Sequence, residues 1–221
     1  MAQLPILYVA TKNYSSWSMR PWLALRWGAI QFEERLIALG PRDGTRNGDM
    51  ARISPTAQLP ALHLPDGQIL WDSRAICEWA AEADPEALLW PRDAAQRALA
   101  RCVSAEMHSG FGALRCDLPM NIRRRAPPRA LGSETQSQIA RLVEIWAQCQ
   151  AGSGGPFLFG ARPNIADAFF APVATRLRTY AIALPVAAAA YVETVLQDRH
   201  FREWELAALA DDHAIAETDC A

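Results

Sequence analysis

Short apolar runs alternate with longer amphipathic stretches over the first 83 residues of the chain. The short runs predict four strands, at residues 6–10, 32–36, 61–64 and 68–71. After a polar loop at 13–18, Pro21 suits the first turn of a helix and Gly28 suits its end. Glycines and prolines between 40 and 55 indicate a loop or an irregular helix. This order of elements predicts a mixed sheet with helices on its faces.

Residues 54–76 combine features that place several polar groups close together. A Leu-Pro step leads into a hairpin whose turn is Pro65-Asp66-Gly67. Asp72 and Ser73 follow the second strand of the hairpin directly and are predicted to cap a helix. A backbone edge, a helix N-terminus and a hydroxyl would then be neighbours. Such a grouping suits the free carboxylate and amine of a small peptide.

Beyond residue 92 the spacing of the apolar residues is helical only. Residues 84–92 contain two proline steps and predict a linker. Helices are predicted from 93 to about 116, from 133, from 164, from about 185 and over 200–209. Two of these starts resemble capping boxes, formed by Asp93 with Gln96 and by Asn164 with Asp167. The predicted fold therefore combines an α/β part, residues 1–83, with an all-α part, residues 93–221.

Composition and charge narrow the possible classes of function. The chain has 221 residues, of which 51% are hydrophobic and 21% charged, as is typical of soluble globular proteins. A formal net charge of −2 creates no overall field that would attract nucleic acid or an anionic membrane. The sequence has no apolar run of about 18 residues, and its N-terminus lacks the charged start of a signal peptide. We therefore expect a cytoplasmic protein without nucleic-acid or membrane partners.

The cysteines and histidines show no pattern of metal ligands. The five cysteines are scattered, at positions 77, 102, 116, 149 and 220, and none belongs to a CxxC motif. The four histidines are equally dispersed. We therefore expect reduced thiols and no bound metal.

Four sequence pieces, in this order, carry a resemblance to a known family. They are YSSWSMRP at 14–21, SPTAQLPAL at 54–62, ILWDSRAI at 69–76 and FLFGARPNIADAFFAPV at 157–173. With them the chain resembles a glutathione transferase along nearly its whole length. The serine-bearing piece is most similar to the zeta class, whose motif reads Ser-Ser-Cys-Ser followed by a basic residue. Trp17 stands at the cysteine position of that motif, which argues against the isomerase chemistry of the zeta class.

The resemblance implies a fold, an activity and partners. Residues 1–83 would form a thioredoxin-like glutathione-binding domain, residues 84–92 a linker, and residues 93–221 a helical domain for the acceptor substrate. The protein would be a homodimeric, cytoplasmic transferase that uses glutathione as cosubstrate and needs no metal. Its implied reaction, typical of detoxification, joins the glutathione thiolate to a small electrophile.

Two serines are candidates for activating the thiol of glutathione. A thiol becomes a good nucleophile only as the thiolate, which a hydroxyl donor near a helix N-terminus stabilises. Resemblance to the zeta and tau classes favours Ser15, five residues before Arg20, whereas theta- and delta-like spacing favours Ser16. From the residues alone, both serines could simply cap the helix.

The resemblance also assigns the binding of glutathione. Leu59-Pro60 would be a cis peptide, and the Leu59 backbone would pair with the cysteinyl unit of glutathione. Gln58 would bond the glycine carboxylate, Ser73 the γ-glutamyl carboxylate and Asp72 the γ-glutamyl amine. Four further cations could add charge to this site, namely Lys12, Arg20, Arg42 and Arg52.

The acceptor pocket is predicted from residues near the serines and on the first helix of the second half. The candidates are Tyr14, Trp17, Met107, His108, Phe111 and Arg115. Met107, Phe111 and Leu114 share a helical spacing that is more typical of a core, so His108 and Arg115 are the better candidates. Arg123-Arg124-Arg125 is either a solvated run or a rim that attracts an anionic acceptor.

Three other functions stay open on this sequence. The first is a glutathione-dependent isomerase of the maleylacetoacetate type or a dehalogenase on the same fold. The second is a non-catalytic, glutathione-binding regulatory protein. A thiol oxidoreductase ranks last, because residues 13–18 contain no cysteine.

Overall fold

Four strands form one mixed sheet in the order β2-β1-β3-β4. The computed structural model of the protein describes residues 3–39 and 48–219. The strands span Ile6–Ala10 (β1), Glu33–Ile37 (β2), Ala61–His63 (β3) and Ile69–Trp71 (β4). β1 runs parallel to β2 and antiparallel to β3, and β3 and β4 form a hairpin. Gly67 supplies the positive φ of +89° that the hairpin turn requires. The predicted sheet and hairpin are confirmed.

Among the described residues of the first half, three helices accompany the sheet: α1 at Ser16–Trp27, α2 at Gly48–Ile53 and α3 at Ser73–Ala83. The first begins earlier than predicted, because the side chain of Ser15 accepts a hydrogen bond from the Ser18 N–H and caps it. Pro21 therefore lies in the second turn and not in the first. Without an N–H it cannot donate to the Trp17 carbonyl, but the helix continues to Trp27.

The second half of the chain is helical, as predicted. Its helices are α4 (Ala94–Ser109), α5 (Gly112–Asp117), α6 (Ser133–Gln150), α7 (Ile165–Thr179), α8 (Val186–Gln197), α9 (Arg199–Ala210) and α10 (Ala216–Asp219). A single turn of 3₁₀ helix, Pro85–Ala87, lies in the predicted linker. The boundaries of the two domains stay a prediction. Within the described ranges, no helix is both long and apolar enough to cross a membrane.

The single helix predicted from 93 to about 116 is wrong, since the chain breaks between α4 and α5. Gly110 is extended there and Phe111 has a φ of +62°, in the left-handed region. The Arg115 side chain folds back onto the break. Its Nε donates to the Gly110 carbonyl at 3.0 Å and its Nη2 donates to the Met107 carbonyl. These charge-assisted bonds compensate carbonyls at the end of α4.

α7 runs through the centre of the helical half, and its start is held by a buried carboxylate. Asn164 and Asp167 form the predicted capping box. The fully buried Asp167 carboxylate accepts from the backbone N–H of Asn164 (2.9 Å), the N–H of Leu158 (3.1 Å) and the Tyr191 hydroxyl (3.1 Å). Burial raises the pKa of Asp167 to about 7, although these donors oppose the shift. One side chain thus joins α7, α8 and the loop before α7.

Asp167→Ala should therefore lower the free energy of unfolding by about 3 kcal/mol or more, because several buried donors lose their acceptor at about 1–3 kcal/mol each. Asp93 is the matched control, since it caps α4 at the Gln96 N–H (2.8 Å) but is exposed. Asp93→Ala should cost about 1 kcal/mol, the usual value of an N-cap. Urea unfolding followed by circular dichroism measures both. Equal losses would contradict the central role of Asp167.

Candidate active site

A cleft of about 1010 Å³ opens where the two halves of the chain meet. Its walls come from the end of β1, the start of α1, the segment before β3, the start of α3, and the region around α5 and α7. The predicted site residues among its lining are Ser15, Ser16, Trp17, Gln58, Leu59, Pro60, Asp72, Ser73 and Arg115. Tyr14 lines it as well. The fold thus brings together residues that are far apart in the sequence.

Three candidates for the acceptor pocket are placed elsewhere. Met107 and Phe111 belong to the hydrophobic core, where they are only 1% and 7% exposed. The core stripe of α4 and α5 explains this, because Leu114 at the same spacing is fully buried too. His108 lies behind Trp17, with ring centroids 5.1 Å apart, and its Nε2 is 3.4 Å from Asp72 Oδ2. Burial lowers the pKa of His108, and the nearby Asp72 carboxylate opposes that shift.

The serine loop, residues 11–15, joins β1 to α1 and is closed by hydrogen bonds to the Thr11 carbonyl. The N–H groups of Tyr14 and Ser15 both donate to it, at 3.1 and 3.0 Å. The Ser15 hydroxyl accepts from the Ser18 N–H (3.3 Å) and donates to Ser18 Oγ (2.8 Å). Ser18 Oγ in turn accepts from the Ala10 N–H at 3.0 Å. Ser15 therefore both caps α1 and presents a hydroxyl at its N-terminus.

The segment before β3 supplies an accessible backbone edge. The Leu59-Pro60 peptide bond is cis, as the resemblance implies. Gln58 is exposed, Leu59 is half-buried and Pro60 is buried. All of them lie in the cleft wall beside Ala57. The side chain of Gln58 can thus reach into the cleft from the protein surface.

The start of α3 carries two unusual features. Asp72 has φ +65° and ψ 141°, a conformation that costs a non-glycine residue about 1–3 kcal/mol. Its side chain accepts from the Arg74 N–H at 2.7 Å. The Ser73 Oγ is buried without a hydrogen-bond partner in the part of the chain that the structure describes. A strained cap beside an unsatisfied hydroxyl at a helix N-terminus is typical of a site that binds an anion.

Arg20 is fully buried one turn after Ser16, and none of its guanidinium nitrogens has a hydrogen-bond partner among the described residues. The guanidinium lies between two rings, 4.3 Å from the Trp17 centroid and 4.7 Å from the Phe169 centroid. Burial, assisted by the charge of Arg115, lowers the pKa of Arg20 to about 9. The protein thus holds an incompletely compensated cation directly behind the cleft wall.

Further lining residues were not predicted from the sequence. Among them are Leu39, Met50, Trp71, Cys116, Pro119, Met120 and Arg176. Arg176 is buried on α7 and donates to the Leu118 carbonyl. One signal could have found it: a charged residue within the apolar stretch 165–177. The other residues of this list line the cleft because elements far apart in the sequence pack together, so no local sequence pattern marks them.

The other candidate cations have different places. Lys12 forms an ion pair with Glu34, at 2.6 Å. Arg42 lies outside the described residues, and Arg52 lies on the exposed side of α2. Of the arginine run 123–125, only Arg125 is exposed, as expected of a solvated run, whereas Arg123 and Arg124 bond the C-terminal segment. Within residues 3–39 and 48–219, the His, Cys, Asp and Glu side chains form no group that could hold a metal ion.

Two domains of a known protein family match this chain. Residues 14–83 match the N-terminal domain of glutathione S-transferases, and residues 93–205 match the C-terminal domain. The chain belongs to the glutathione S-transferase family. The resemblance in the four sequence pieces and the predicted fold class are thereby confirmed.

Relatives and solved structures refine this assignment. A probable maleylacetoacetate isomerase of Caenorhabditis elegans is 32% identical over 109 residues, and the match spans about half (49%) of each protein. The maleylacetoacetate isomerase of Pseudomonas aeruginosa is 26% identical over 80% of this chain and 84% of its own length. A glutathione transferase homologue from Burkholderia GL BGR1, solved with bound glutathione, has a TM-score of 0.71 at 24% identity, covering 94% of this chain and 99% of its own.

A zeta-class maleylpyruvate isomerase, described as a bacterial glutathione S-transferase, has the same TM-score of 0.71 at 22% identity. The superposition covers 95% of this chain and all of that protein. The two solved structures show that this chain shares their fold over 94% and 95% of its length.

Arg20→Met should raise the free energy of unfolding by about 1 kcal/mol or more, because it removes an uncompensated buried charge and keeps most of the side-chain volume. Burial lowers the pKa of Arg20 to about 9, so this environment disfavours the charged form of the side chain. Arg26, exposed on the same helix and paired with Glu203 at 2.9 Å, is the control. Arg26→Met should change stability by less than about 1 kcal/mol. A fall in melting temperature for Arg20→Met would contradict this description.

Proposed function

We propose that the protein is an enzyme that binds glutathione in this cleft and uses its thiolate to attack a small, carboxylated electrophile. The γ-glutamyl carboxylate would bind Ser73 at the start of α3, and Asp72 would take the adjacent amine. The cysteinyl backbone would pair with Leu59, and Gln58 would bond the glycine carboxylate. The observation that carries this proposal is the buried Ser73 Oγ, which has no hydrogen-bond partner among residues 3–39 and 48–219 and lines the same cleft as Ser15.

Ser15 is the proposed donor to the thiolate. A cysteine-type thiol has a pKa of about 8.5, and lowering it by two units takes about 2.7 kcal/mol. The Ser15 oxygen already accepts the Ser18 N–H, which polarises its own O–H. Its proton bonds Ser18 Oγ, a neutral acceptor that an anionic sulfur would displace. The positive end of α1 and the charge of Arg20 support the same anion.

Two arginines of the helical half favour a carboxylated electrophile. Arg115 and Arg176 both line the cleft, and the Arg115 guanidinium lies 5.2 Å from the centroid of the Trp17 ring. Relatives named maleylacetoacetate isomerase and maleylpyruvate isomerase point to substrates of the same chemistry, with an electron-poor cis double bond. We therefore propose an unsaturated, carboxylated compound as the substrate class.

The proposed isomerisation needs only the thiolate and rotation about one bond. Sulfur forms a bond to one carbon of the double bond, and the π electron pair moves onto the conjugated carbonyl oxygen. Rotation about the resulting single bond follows. Return of the electron pair and departure of the thiolate give the trans isomer and regenerate glutathione. Arg115 or Arg176 would stabilise the oxyanion by charge-assisted hydrogen bonds.

Conjugation is the second candidate, and Trp17 favours it. This indole stands at the cysteine position of the zeta motif and gives the cleft an aromatic wall beside Pro119 and Met120. A flat halo-aromatic acceptor would stack on such a wall. Incubation with glutathione and either maleylacetoacetate or a halo-aromatic compound, followed by chromatography, separates the two reactions. Turnover of neither compound, together with no titration of bound thiol below about pH 7.5, would instead indicate a non-catalytic binder.

Ser15→Ala should lower kcat about 100-fold, in the range observed when one oxyanion donor is removed, and leave the Kd for glutathione nearly unchanged. The thiolate absorbance of bound glutathione should titrate at higher pH in this variant. Since Ser15→Ala also removes a helix cap, Ser15→Thr is the control that keeps both the cap and a hydroxyl. Ser16→Ala tests the alternative serine. A larger loss in Ser16→Ala than in Ser15→Ala would assign the donor role to Ser16.

Arg115→Met should raise KM for the carboxylated substrate about tenfold or more, because a hydrogen bond to a charged group contributes about 1.5–3 kcal/mol. A neutral halo-aromatic acceptor is the internal control, since it has no carboxylate to bind. Its kinetics also report damage to the α4–α5 break that Arg115 closes. Equal losses with both substrates would show that Arg115 acts on the fold and not on the carboxylate.

A further inference from the structure

The hydroxyl of Tyr14 is bonded to saturation by groups outside its own loop. It donates to the Asp219 carboxylate, 2.8 Å from Oδ1 and 2.9 Å from Oδ2. It accepts from Arg123 Nη2 at 2.9 Å and from the Ile215 N–H at 3.1 Å. A phenol has one proton and two lone pairs, so this set uses its full capacity.

Tyr14 is the centre of a contact between the C-terminal segment, residues 211–219, and the cleft. The segment also reaches a second lining residue, because His213 Nε2 lies 2.7 Å from the Leu39 carbonyl oxygen. Within the segment, the side chains of Ile215 and Thr218 are buried. The segment therefore packs on the protein through apolar and polar contacts together.

A second layer of hydrogen bonds holds the partners of Tyr14. Asn121 Nδ2 donates to Asp219 Oδ1 at 2.7 Å, and Arg124 Nη1 donates to the Asp219 carbonyl at 2.9 Å. Arg123 also donates to the carbonyls of Asp211 and His213. Arg123 and Asp219 thus carry opposite charges and bond the same hydroxyl of Tyr14, Arg123 as donor and Asp219 as acceptor.

The same layer is tied to the serine loop through Asn13. Its side chain is fully buried, donates to Asn121 Oδ1 at 2.9 Å and accepts from the Arg123 N–H at 2.9 Å. Asn13, Tyr14 and Ser15 are consecutive, so the C-terminal half fixes the two residues directly before the proposed donor. The loop cannot shift without breaking these buried bonds.

We propose that Asp219 is a positioning residue for the thiol chemistry, which rests on the function proposed above. Acting through Tyr14, it fixes the serine loop so that the Ser15 hydroxyl faces the sulfur of glutathione. Asp219 also holds the Tyr14 hydroxyl away from that sulfur. Tyr14 therefore does not compete with Ser15, the next residue, as the hydroxyl donor. A displacement of about 1 Å at such a donor can cost about 100-fold in rate.

The test compares Tyr14→Phe, Asp219→Ala and the double variant, in the full chain. Each single variant should lower kcat about tenfold and raise the pKa of bound glutathione by about one unit, with Kd for glutathione changed less than about twofold. The double variant should be no worse than either single one, because both remove the same interaction. Asp219→Asn keeps one acceptor oxygen and should recover part of the loss. Asp212→Ala is the matched control, an exposed carboxylate in the same segment.

The outcomes separate this proposal from the proposed function. If the wild type shows no thiol titration below the free value, the proposed function fails, whatever Asp219 does. If the wild type titrates low and Asp219→Ala leaves both kcat and the thiol pKa unchanged, the positioning role is overturned. Additive losses in the double variant would overturn it too. A much larger loss in Tyr14→Phe than in Asp219→Ala would show that Tyr14 itself bonds the sulfur.

Discussion

The ion pair between Lys12 and Glu34 lies on the side of the first half of the molecule that packs against the helical half, and the cleft depends on this junction. Its 2.6 Å contact lies beside two tryptophan rings, with Lys12 Nζ 5.1 Å from the Trp22 centroid and 5.0 Å from the Trp204 centroid. Trp22 Nε1 donates to Glu34 Oε2, and Trp204 Nε1 donates to the Lys12 carbonyl. Because α9 carries Trp204, the helical half binds the backbone of the serine loop directly. Removal of either charge would leave the other largely buried and unpaired, the costly case for an ion pair.

The polar groups at this junction have hydrogen-bond or ion-pair partners, whereas several polar groups at the cleft have none within the described parts of the chain. At the junction, the groups of Lys12, Asn13 and Tyr14 all have partners, many of them from the other half of the chain. At the cleft, Ser73 Oγ and the Arg20 guanidinium have none among the described residues, and Asp72 holds a strained conformation. Unsatisfied groups persist only where the surrounding structure compensates for them. The well-bonded junction thus stabilises the fold that holds these unpaired and strained groups at the cleft.

Local patterns in the sequence predicted the elements well, and they failed where two local signals competed or where the partner was distant. The hairpin around Gly67 and the capping box of Asn164 and Asp167 follow from residues within a few positions of one another. The start of α1 was misplaced because Pro21 and Ser15 both resemble a helix start, and the Ser15 cap prevails. The role of Arg123 and Arg124 was out of reach, because their acceptors lie about 90 residues later and no periodicity links them.

Trp17 decides how the charge of Arg20 can act. The indole lies 4.3 Å from the Arg20 guanidinium and 5.2 Å from that of Arg115, and the ring of His108 meets it edge-on. These contacts fix the ring between Arg20 and the cleft. A substrate carboxylate therefore cannot reach Arg20 and neutralise it by direct pairing. The field of the cation still acts through the apolar ring, where little water screens it, and it favours any anion at the start of α1. Where the zeta motif has a small, reactive cysteine, this chain thus has a tryptophan ring that separates Arg20 from the cleft. In the proposed reaction, the positive charge behind that ring would stay available to the thiolate throughout the cycle.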